Sequence, residues 1–184
     1  MTEDHITNSI IEDLDEEKPS KIKKALIILS IISVLIIFVL YASLGPVLHH
    51  IEGKIHSNNI ISSSLIIKPF IIHFEENTSS ILSQLFINNQ EINNVEMSVC
   101  LEGHNIGDEY YINKVFYPKI IEQTMTHVTF STCPYNSVIM LHSHPFGDCL
   151  ASETDLTTLK KIHKTNPSML MLIMCGNNTY ALYY

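Results

Sequence analysis

The sequence contains no arginine, and only 16% of its residues are charged. All 11 basic side chains are lysines, against 19 acidic ones, and the formal net charge is −8 at pH 7. A protein that binds nucleic acid needs a basic face that neutralises phosphates. The composition therefore excludes nucleic acid as the expected partner.

Paired cysteine motifs are also absent. No two of the four cysteines, Cys100, Cys133, Cys149 and Cys175, have the C-x2-C spacing of a structural zinc site or a thioredoxin-type redox centre. Because four is an even number, one or two disulfides are possible. The cysteine content is nevertheless too low for a scaffold that depends on disulfides for its stability. Because a free cysteine behaves as a small hydrophobic residue, we expect buried thiols.

Several catalytic motifs are missing as well. There is no H-E-x-x-H motif, which excludes a thermolysin-like site, and Cys133-Pro134 lacks the second cysteine and the H-x-E motif of a zinc deaminase. Cys149 follows five residues after His144, and a cysteine paired with a histidine is the arrangement of a thiol protease. That alternative is weak because no residue in the sequence is marked out to orient the histidine.

One long apolar run is present, at residues 25–44. Its 20 residues carry no charge and are long enough, as a helix, to cross the hydrocarbon core of a bilayer. A cleaved signal peptide is the competing interpretation, since Tyr41-Ala42-Ser43 loosely resembles a cleavage site. The run is longer than a signal-peptide core and begins only after residue 24, so we predict an uncleaved transmembrane anchor.

Lysines flank this anchor unequally. Lys18, Lys21, Lys23 and Lys24 lie just before it, and only Lys54 lies soon after it. The positive-inside rule counts these cations and largely ignores acidic residues. It predicts a cytoplasmic N-terminus and an extracytoplasmic location for the bulk of the chain.

Four regions follow from these patterns. Residues 1–24 are predicted to be a disordered acidic tail, because they carry too little apolar surface to offset their ordering entropy. Residues 25–44 are the transmembrane helix, and Gly45-Pro46 is predicted to end it. Residues 45–64 are a polar juxtamembrane linker, and residues 65–184 are a folded domain long enough to bury a core.

Strand and helix patterns alternate irregularly in the folded domain. This predicts an α+β or mixed α/β layered fold, with a mixed β-sheet flanked by helices. Strands are predicted at Leu65–Phe74, Val95–Leu101, Tyr110–Tyr117, His127–Phe130, Val138–His144, Met169–Cys175 and Thr179–Tyr184, the last two as a hairpin, and helices at Thr78–Ile87 and around Leu156, Leu159 and Ile162.

A group of potential metal ligands lies at one strand–helix junction. His142 and His144 end a strand pattern, and residues i and i+2 of a strand project from the same face. Asp155 opens the following helix pattern, where a turn can return it to the strand end. Two imidazoles and a carboxylate suit Zn²⁺ and leave a fourth position for water.

These residues also have a purely structural interpretation, without any metal. Ser152 and Asp155 have the spacing of a helix capping box, and the two histidines could be polar residues at a strand end. An H-x-H pair alone is weak evidence. The combination with Pro145 and with Ser152 and Asp155 at fixed spacing is far more specific.

The full pattern, H-S-H-P-x6-S-x2-D, resembles the signature of the JAMM (MPN+) zinc metallopeptidases, a family that includes deubiquitinating isopeptidases and their archaeal and bacterial relatives. The resemblance implies a JAMM/MPN-like fold over residues 65–184. It implies that His142, His144 and Asp155 bind zinc, and that Ser152 helps to stabilise a tetrahedral intermediate.

The resemblance also implies a catalytic glutamate on an earlier strand, in a stretch similar to E-x-C-G-x-L-x-G. The corresponding stretch matches at Glu96, Leu101 and Gly103, whereas Val99 stands where the family has glycine. Glu96 is therefore the expected general base, with Glu102 as the alternative.

These observations predict a membrane-anchored zinc metallopeptidase that hydrolyses a peptide or isopeptide amide bond. The expected cofactor is Zn²⁺, and the expected partner is a protein or peptide substrate, with ubiquitin-like conjugates among the candidates. Two alternatives stay open: a non-catalytic MPN-type interaction module anchored to the membrane, and an amide hydrolase of the same fold that acts on a small substrate.

Overall fold

The computed structural model of the protein describes residues 20–75 and 77–184. It divides into two compact units, one ending at Gly45 and one spanning Pro46–Tyr184. Most of the predicted acidic tail, residues 1–19, lies outside the described residues.

The first helix, α1, spans Lys21–Ile55. Its segment Lys21–Leu44 has a mean hydropathy of 3.0 and buries none of its apolar window, so it is long and apolar enough to cross a membrane. The prediction that Gly45-Pro46 ends the helix is wrong, because α1 continues to Ile55. A proline inside a helix removes one backbone donor and crowds the preceding turn, which is why it predicts a helix end, but α1 runs through Pro46. About half of the predicted linker is thus helical.

The second unit is built on a mixed eight-stranded sheet. In chain order the strands are β1 (Asn58–Asn59), β2 (Ser64–Ile67), β3 (Phe70–Phe74), β4 (Ser98–Ile106), β5 (Glu109–Phe116), β6 (Ile120–Gln123), β7 (Val128–Phe130), β8 (Ser137–Ser143), β9 (Leu170–Gly176) and β10 (Thr179–Tyr183). The spatial order in the sheet is β1-β10-β9-β8-β4-β5-β3-β2. The β3–β5 and β8–β9 pairs are parallel and the other pairs are antiparallel, while β6 and β7 form a separate antiparallel pair.

Helices cover both faces of this sheet. They are α2 (Thr78–Phe86), which continues into a π-helical turn (Ile87–Ile92), and α3 (Glu153–Ile162). Leu82 of α2 belongs to the core that contains Ile139 and Leu141 of β8, whereas Leu159 of α3 packs in a second cluster with Met140. Adjacent strand residues point to opposite faces, so the two clusters lie on opposite sides of β8. The predicted mixed sheet with flanking helices is confirmed at this level.

Gly103 permits a close approach within the sheet. It lies at an irregularity in β4 where the register with β5 shifts, and a Cβ there would collide with the carbonyl of Tyr111. Only glycine fits so near a neighbouring backbone.

The four cysteines form two disulfides, so the prediction of buried free thiols is wrong. Cys100 of β4 is bonded to Cys133, with a Cα–Cα distance of 5.7 Å, and Cys149 is bonded to Cys175 of β9, with a Cα–Cα distance of 5.1 Å. All four cysteines lie among the described residues and none is free. The spacing of the cysteines along the sequence does not predict these pairs, because the bonded cysteines become neighbours only in the folded chain. Cys149 is therefore not available as a thiol nucleophile.

The C-terminal end of α1 packs closely on the loop that precedes α3. Gly53 is buried there, and a Cβ at this position would lie 3.1 Å from the backbone nitrogen of Cys149 and 3.4 Å from that of Leu150. A side chain at residue 53 would thus press on the loop. The last helical turns of α1 are part of the second unit.

Candidate metal centre

Three side chains converge where β8 ends. His142 lies near the end of β8, His144 follows the strand, and Asp155 lies in the first turn of α3. The two Nε2 atoms are 3.1 Å apart. Nε2 of His142 lies 3.2 Å from Oδ1 of Asp155, and Nε2 of His144 lies 3.2 Å from Oδ2. Both histidines are buried and Asp155 is partly buried.

This arrangement fits a metal ion. Among the described residues, it is the group of three histidine, cysteine or acidic side chains whose ligand atoms all lie within 4.8 Å of one another. Ligands held tetrahedrally at about 2.05 Å, the length of a zinc–imidazole bond, are separated by about 3.3 Å. The observed separations are close to that value. His142, His144 and Asp155 could therefore hold a metal ion as the sequence pattern predicts.

The electrostatics of the group keep a negative charge on Asp155. Burial alone would raise its pKa, but hydrogen bonds from His142 and His144 hold the pKa of this carboxyl well below its usual range. Burial pushes the pKa of His144 down, whereas the hydrogen bond and charge of Asp155 push it up, and the net shift is upward. An ionised carboxylate is the form that ligates a metal.

Ser152 caps α3 and also positions Asp155. The Ser152 hydroxyl accepts a hydrogen bond from the Asp155 N–H at 3.2 Å, and the Ser152 N–H donates to Oδ2 of Asp155 at 2.8 Å. The hydroxyl itself lies 2.6 Å from the same Oδ2. The capping box is thus complete although Asp155 also faces both histidines. A helix cap and a metal ligand are therefore compatible roles for Asp155, because the cap fixes its carboxylate in place.

The loop between His144 and Ser152 is held from two sides. The Tyr183 hydroxyl accepts a hydrogen bond from the Ala151 N–H and donates one to the Cys149 carbonyl, each at 2.9 Å. The Cys149–Cys175 disulfide ties the same loop to β9. These contacts fix the chain between the ligands before any ion binds, which lowers the entropy cost of binding.

Glu96 is placed at the same centre by the segment that precedes β4. The Glu96 N–H donates to the Thr124 carbonyl at 2.8 Å, and the Gln123 side-chain amide donates to the Glu96 carbonyl at 2.6 Å. The next residue, Met97, donates its N–H to the hydroxyl of Ser143 at 2.9 Å. Ser143 lies between the two candidate ligand histidines, so this hydrogen bond connects the glutamate segment directly to the strand that carries His142.

The carboxyl of Glu96 is buried, with 5% of the residue exposed. Burial raises its pKa from 4.5 to about 7, while the charge of His144 lowers the pKa and that of Asp155 raises it. A carboxyl that titrates near neutrality can both accept and return a proton at physiological pH.

Glu102, the alternative base, lies elsewhere. Its carboxylate accepts hydrogen bonds from Nζ of Lys114 at 3.0 Å and from the amide of Asn136 at 2.8 Å. It does not line the cavity that contains Glu96. The structure thus brings Glu96, and not Glu102, to the three candidate ligands.

A cavity of about 750 Å³ opens over the centre. Glu96, Ser152 and the three candidate ligands line it together with β7 and the segment that follows β7. This volume is within the range of small-molecule and peptide pockets. His127, an exposed residue just before β7, also lines the cavity, although nothing in its local pattern distinguishes it from other surface histidines. Ser143 is a second residue of the site that the sequence patterns do not single out. Its position between His142 and His144 is the one indication that the sequence offers.

Comparison with known protein families and with curated proteins finds nothing that matches this chain. The function is therefore argued from the site itself: two buried imidazoles and a carboxylate at one point, a buried glutamate beside them, and a cavity over both.

Proposed function

We propose that the protein is a membrane-anchored zinc metallopeptidase of the JAMM type, which hydrolyses a peptide or isopeptide amide bond. The observation that carries this proposal is the convergence of His142, His144 and Asp155 in a cavity that Glu96 also lines. Two histidines and one carboxylate leave an open position on a tetrahedral ion, as in catalytic zinc sites.

The three ligands would hold the ion, and bound Zn²⁺ would supply a Lewis acid and an acidified water at neutral pH. Glu96 would accept the proton of the attacking water and return it to the leaving amine. The hydroxyl of Ser152, now directed at Asp155, lies on the cavity wall and would donate a hydrogen bond to the developing oxyanion. Removing a comparable donor costs about 3 kcal/mol of transition-state stabilisation.

Removal of the metal tests this proposal. The full chain in detergent micelles is expected to hydrolyse internally quenched peptides, to lose turnover to background after treatment with a chelator, and to regain it with Zn²⁺ but not with Mg²⁺, which prefers six oxygen ligands. Turnover is followed by fluorescence and zinc by elemental analysis. Zinc-loaded protein that cleaves neither peptides nor ubiquitin-like conjugates would instead support the interaction module.

The same proposal places the second unit on the extracytoplasmic side of the membrane. The lysines that precede the anchor favour a cytoplasmic N-terminus. The two disulfides support this orientation independently, since disulfides persist in oxidising compartments and are rare in the cytosol. The substrate would then be a protein or peptide outside the cytoplasm, which argues against cytosolic ubiquitin-like conjugates.

Protease added to right-side-out vesicles is expected to digest the second unit without permeabilisation, because that unit would face the medium. Under denaturing conditions, a thiol-alkylating reagent is expected to label no cysteine before reduction and all four after it. Immunoblotting and mass spectrometry provide the two measurements. Digestion only after permeabilisation, together with labelling before reduction, would show that the unit faces the cytosol.

A further inference from the structure

We propose that the cavity beside the metal centre binds an uncharged, apolar side chain of the substrate, close to the amide that is cleaved. This inference rests on the proposed function and names the class of substrate for the same site. Four observations carry it: the direction of the cavity, its apolar floor, its charge and its size.

The cavity extends away from the ligands along two elements. Met140 and His142 lie on the same face of β8, about 7 Å apart along the strand. Asp155, Thr158 and Ile162 have the i, i+3, i+7 spacing of one helix face, so Ile162 lies about 10 Å along the axis of α3 from Asp155. All five residues line the cavity. Because β8 runs into the centre and α3 runs out of it, Met140 and Ile162 both mark the end remote from the ligands.

This remote end is apolar. Phe130 and Ile162 are partly buried there, and they pack on Met140 and Met169, which are 3% and 4% exposed. Methionine is flexible and polarisable, and it adapts to apolar groups of different shape. A distance of about 7–10 Å corresponds to two or three residues of an extended peptide. An apolar side chain within that distance of the scissile amide would reach this floor.

The charge of the cavity disfavours an acidic group. Apart from histidines, the charged residues that line it are Glu96 and Asp155, and no lysine lines it within the described part of the chain. The whole sequence lacks arginine. A carboxylate at the apolar end would lose water and gain no cationic partner, which is costly. Thr158 and Asn166 offer uncharged hydrogen-bonding groups suited to a substrate backbone.

The volume of about 750 Å³ leaves room for a large side chain and its neighbouring residues. The cavity therefore fits an internal, apolar stretch of polypeptide better than a chain that ends in a free carboxylate next to the scissile bond.

A variant in the middle of the cavity tests the inference. Thr158→Lys places a cation half-way along the α3 wall, and Thr157→Lys is the matched control, since Thr157 is exposed on the same helix and does not line the cavity. The zinc-loaded full chain in micelles is assayed with a positional library of internally quenched peptides. For the wild type, Leu, Phe or Met at one position near the cleaved bond is expected to give kcat/KM at least about ten-fold above Asp or Glu.

Thr158→Lys is expected to reduce the ratio of kcat/KM for apolar over acidic peptides by about ten-fold or more. Thr157→Lys is expected to keep the wild-type ratio. Equal cleavage of apolar and acidic peptides by the wild type would overturn the inference. So would an identical preference in both lysine variants.

A binding measurement separates this inference from the proposed function. The chain contains no tryptophan, so its fluorescence background is low and a tryptophan-containing probe can be followed directly. The probes are N-acetyl-Leu-Trp amide and the same dipeptide with a free carboxylate, added to chelator-treated protein with empty micelles as the blank. The amide is expected to bind about ten-fold more tightly to the wild type, and Thr158→Lys is expected to remove that difference.

Selective binding of the amide without any peptide turnover would sustain the pocket and reject the proposed peptidase. Peptide turnover by a protein that binds the two probes equally would support the proposed peptidase and reject the apolar pocket.

Discussion

Replacement of Glu96 by Gln is expected to lower kcat for peptide hydrolysis by about 10²- to 10⁴-fold, the usual contribution of a positioned acid–base group. The amide fills the same space but can neither accept nor return the proton. Metal binding does not use this side chain, so elemental analysis is expected to find as much zinc in the variant as in the wild type. The measurement is single-substrate kinetics on the full chain, with zinc content determined on the same sample.

The matched control is Glu102→Gln. Glu102 is a buried glutamate of β4 that contacts Lys114 and Asn136 and lies outside the cavity. Its replacement is expected to leave kcat within about two-fold of the wild type, as for a residue remote from the reaction. If Glu102→Gln lost turnover and Glu96→Gln kept it, the assignment of the general base would be reversed.

The Glu96→Gln variant has a second signature, in stability. Burial raises the pKa of Glu96 to about 7 in the folded chelator-treated protein, against 4.5 for an unperturbed carboxyl. Between these values the folded state retains a proton that the unfolded state has released, so the wild type loses stability as the pH rises through this interval. Gln cannot ionise. The difference in Tm, variant minus wild type, is thus expected to increase as the pH rises from about 5 to about 8. A Tm difference that stays constant over this pH range would contradict the prediction.

Replacement of His144 by Ala is expected to reduce bound zinc from about one ion per chain to nearly none, and turnover to background. The change removes one of the three candidate ligands and would leave two. Elemental analysis and kinetics measure these losses. Zn²⁺ stabilises only a state that binds it, so added Zn²⁺ is expected to raise the Tm of the chelator-treated wild type and not that of the variant.

His104→Ala is the control for this variant, because His104 is an exposed histidine of β4 that stacks on Tyr111 and is not part of the metal group. It is expected to keep its zinc and its Tm response. Equal zinc content in His144→Ala and the wild type would show that the ion binds elsewhere.

Local patterns in the sequence predicted most of the second unit. The strand that carries His142, the helix that begins after Ser152 and the terminal hairpin were all located to within a few residues, from a short apolar run, helical spacing and turn residues respectively. Such periodic patterns reflect which face of an element is buried, and a single segment contains that information. The three candidate ligands were predicted for the same reason, since all lie near one strand–helix junction.

Features that depend on distant parts of the chain were not predictable in this way. The disulfide partners are separated by 33 and 26 residues and meet only in the folded protein. Glu96 was assigned to a strand, but β4 begins at Ser98 and hydrogen bonds to Gln123 and Thr124 fix the glutamate segment. The short strand β6, whose residues are all exposed, has no buried face that could produce a pattern.

The close packing of Gly53 on Cys149 and Leu150 also determines where the chain can be cut. A soluble form that starts after Ile55 would remove the helical turns that cover the loop between His144 and Ser152, and would expose its backbone. A form that starts at about residue 46 retains them. A soluble form that keeps this loop covered therefore has to begin before the helical turn that contains Gly53, and residue 46 is a suitable start.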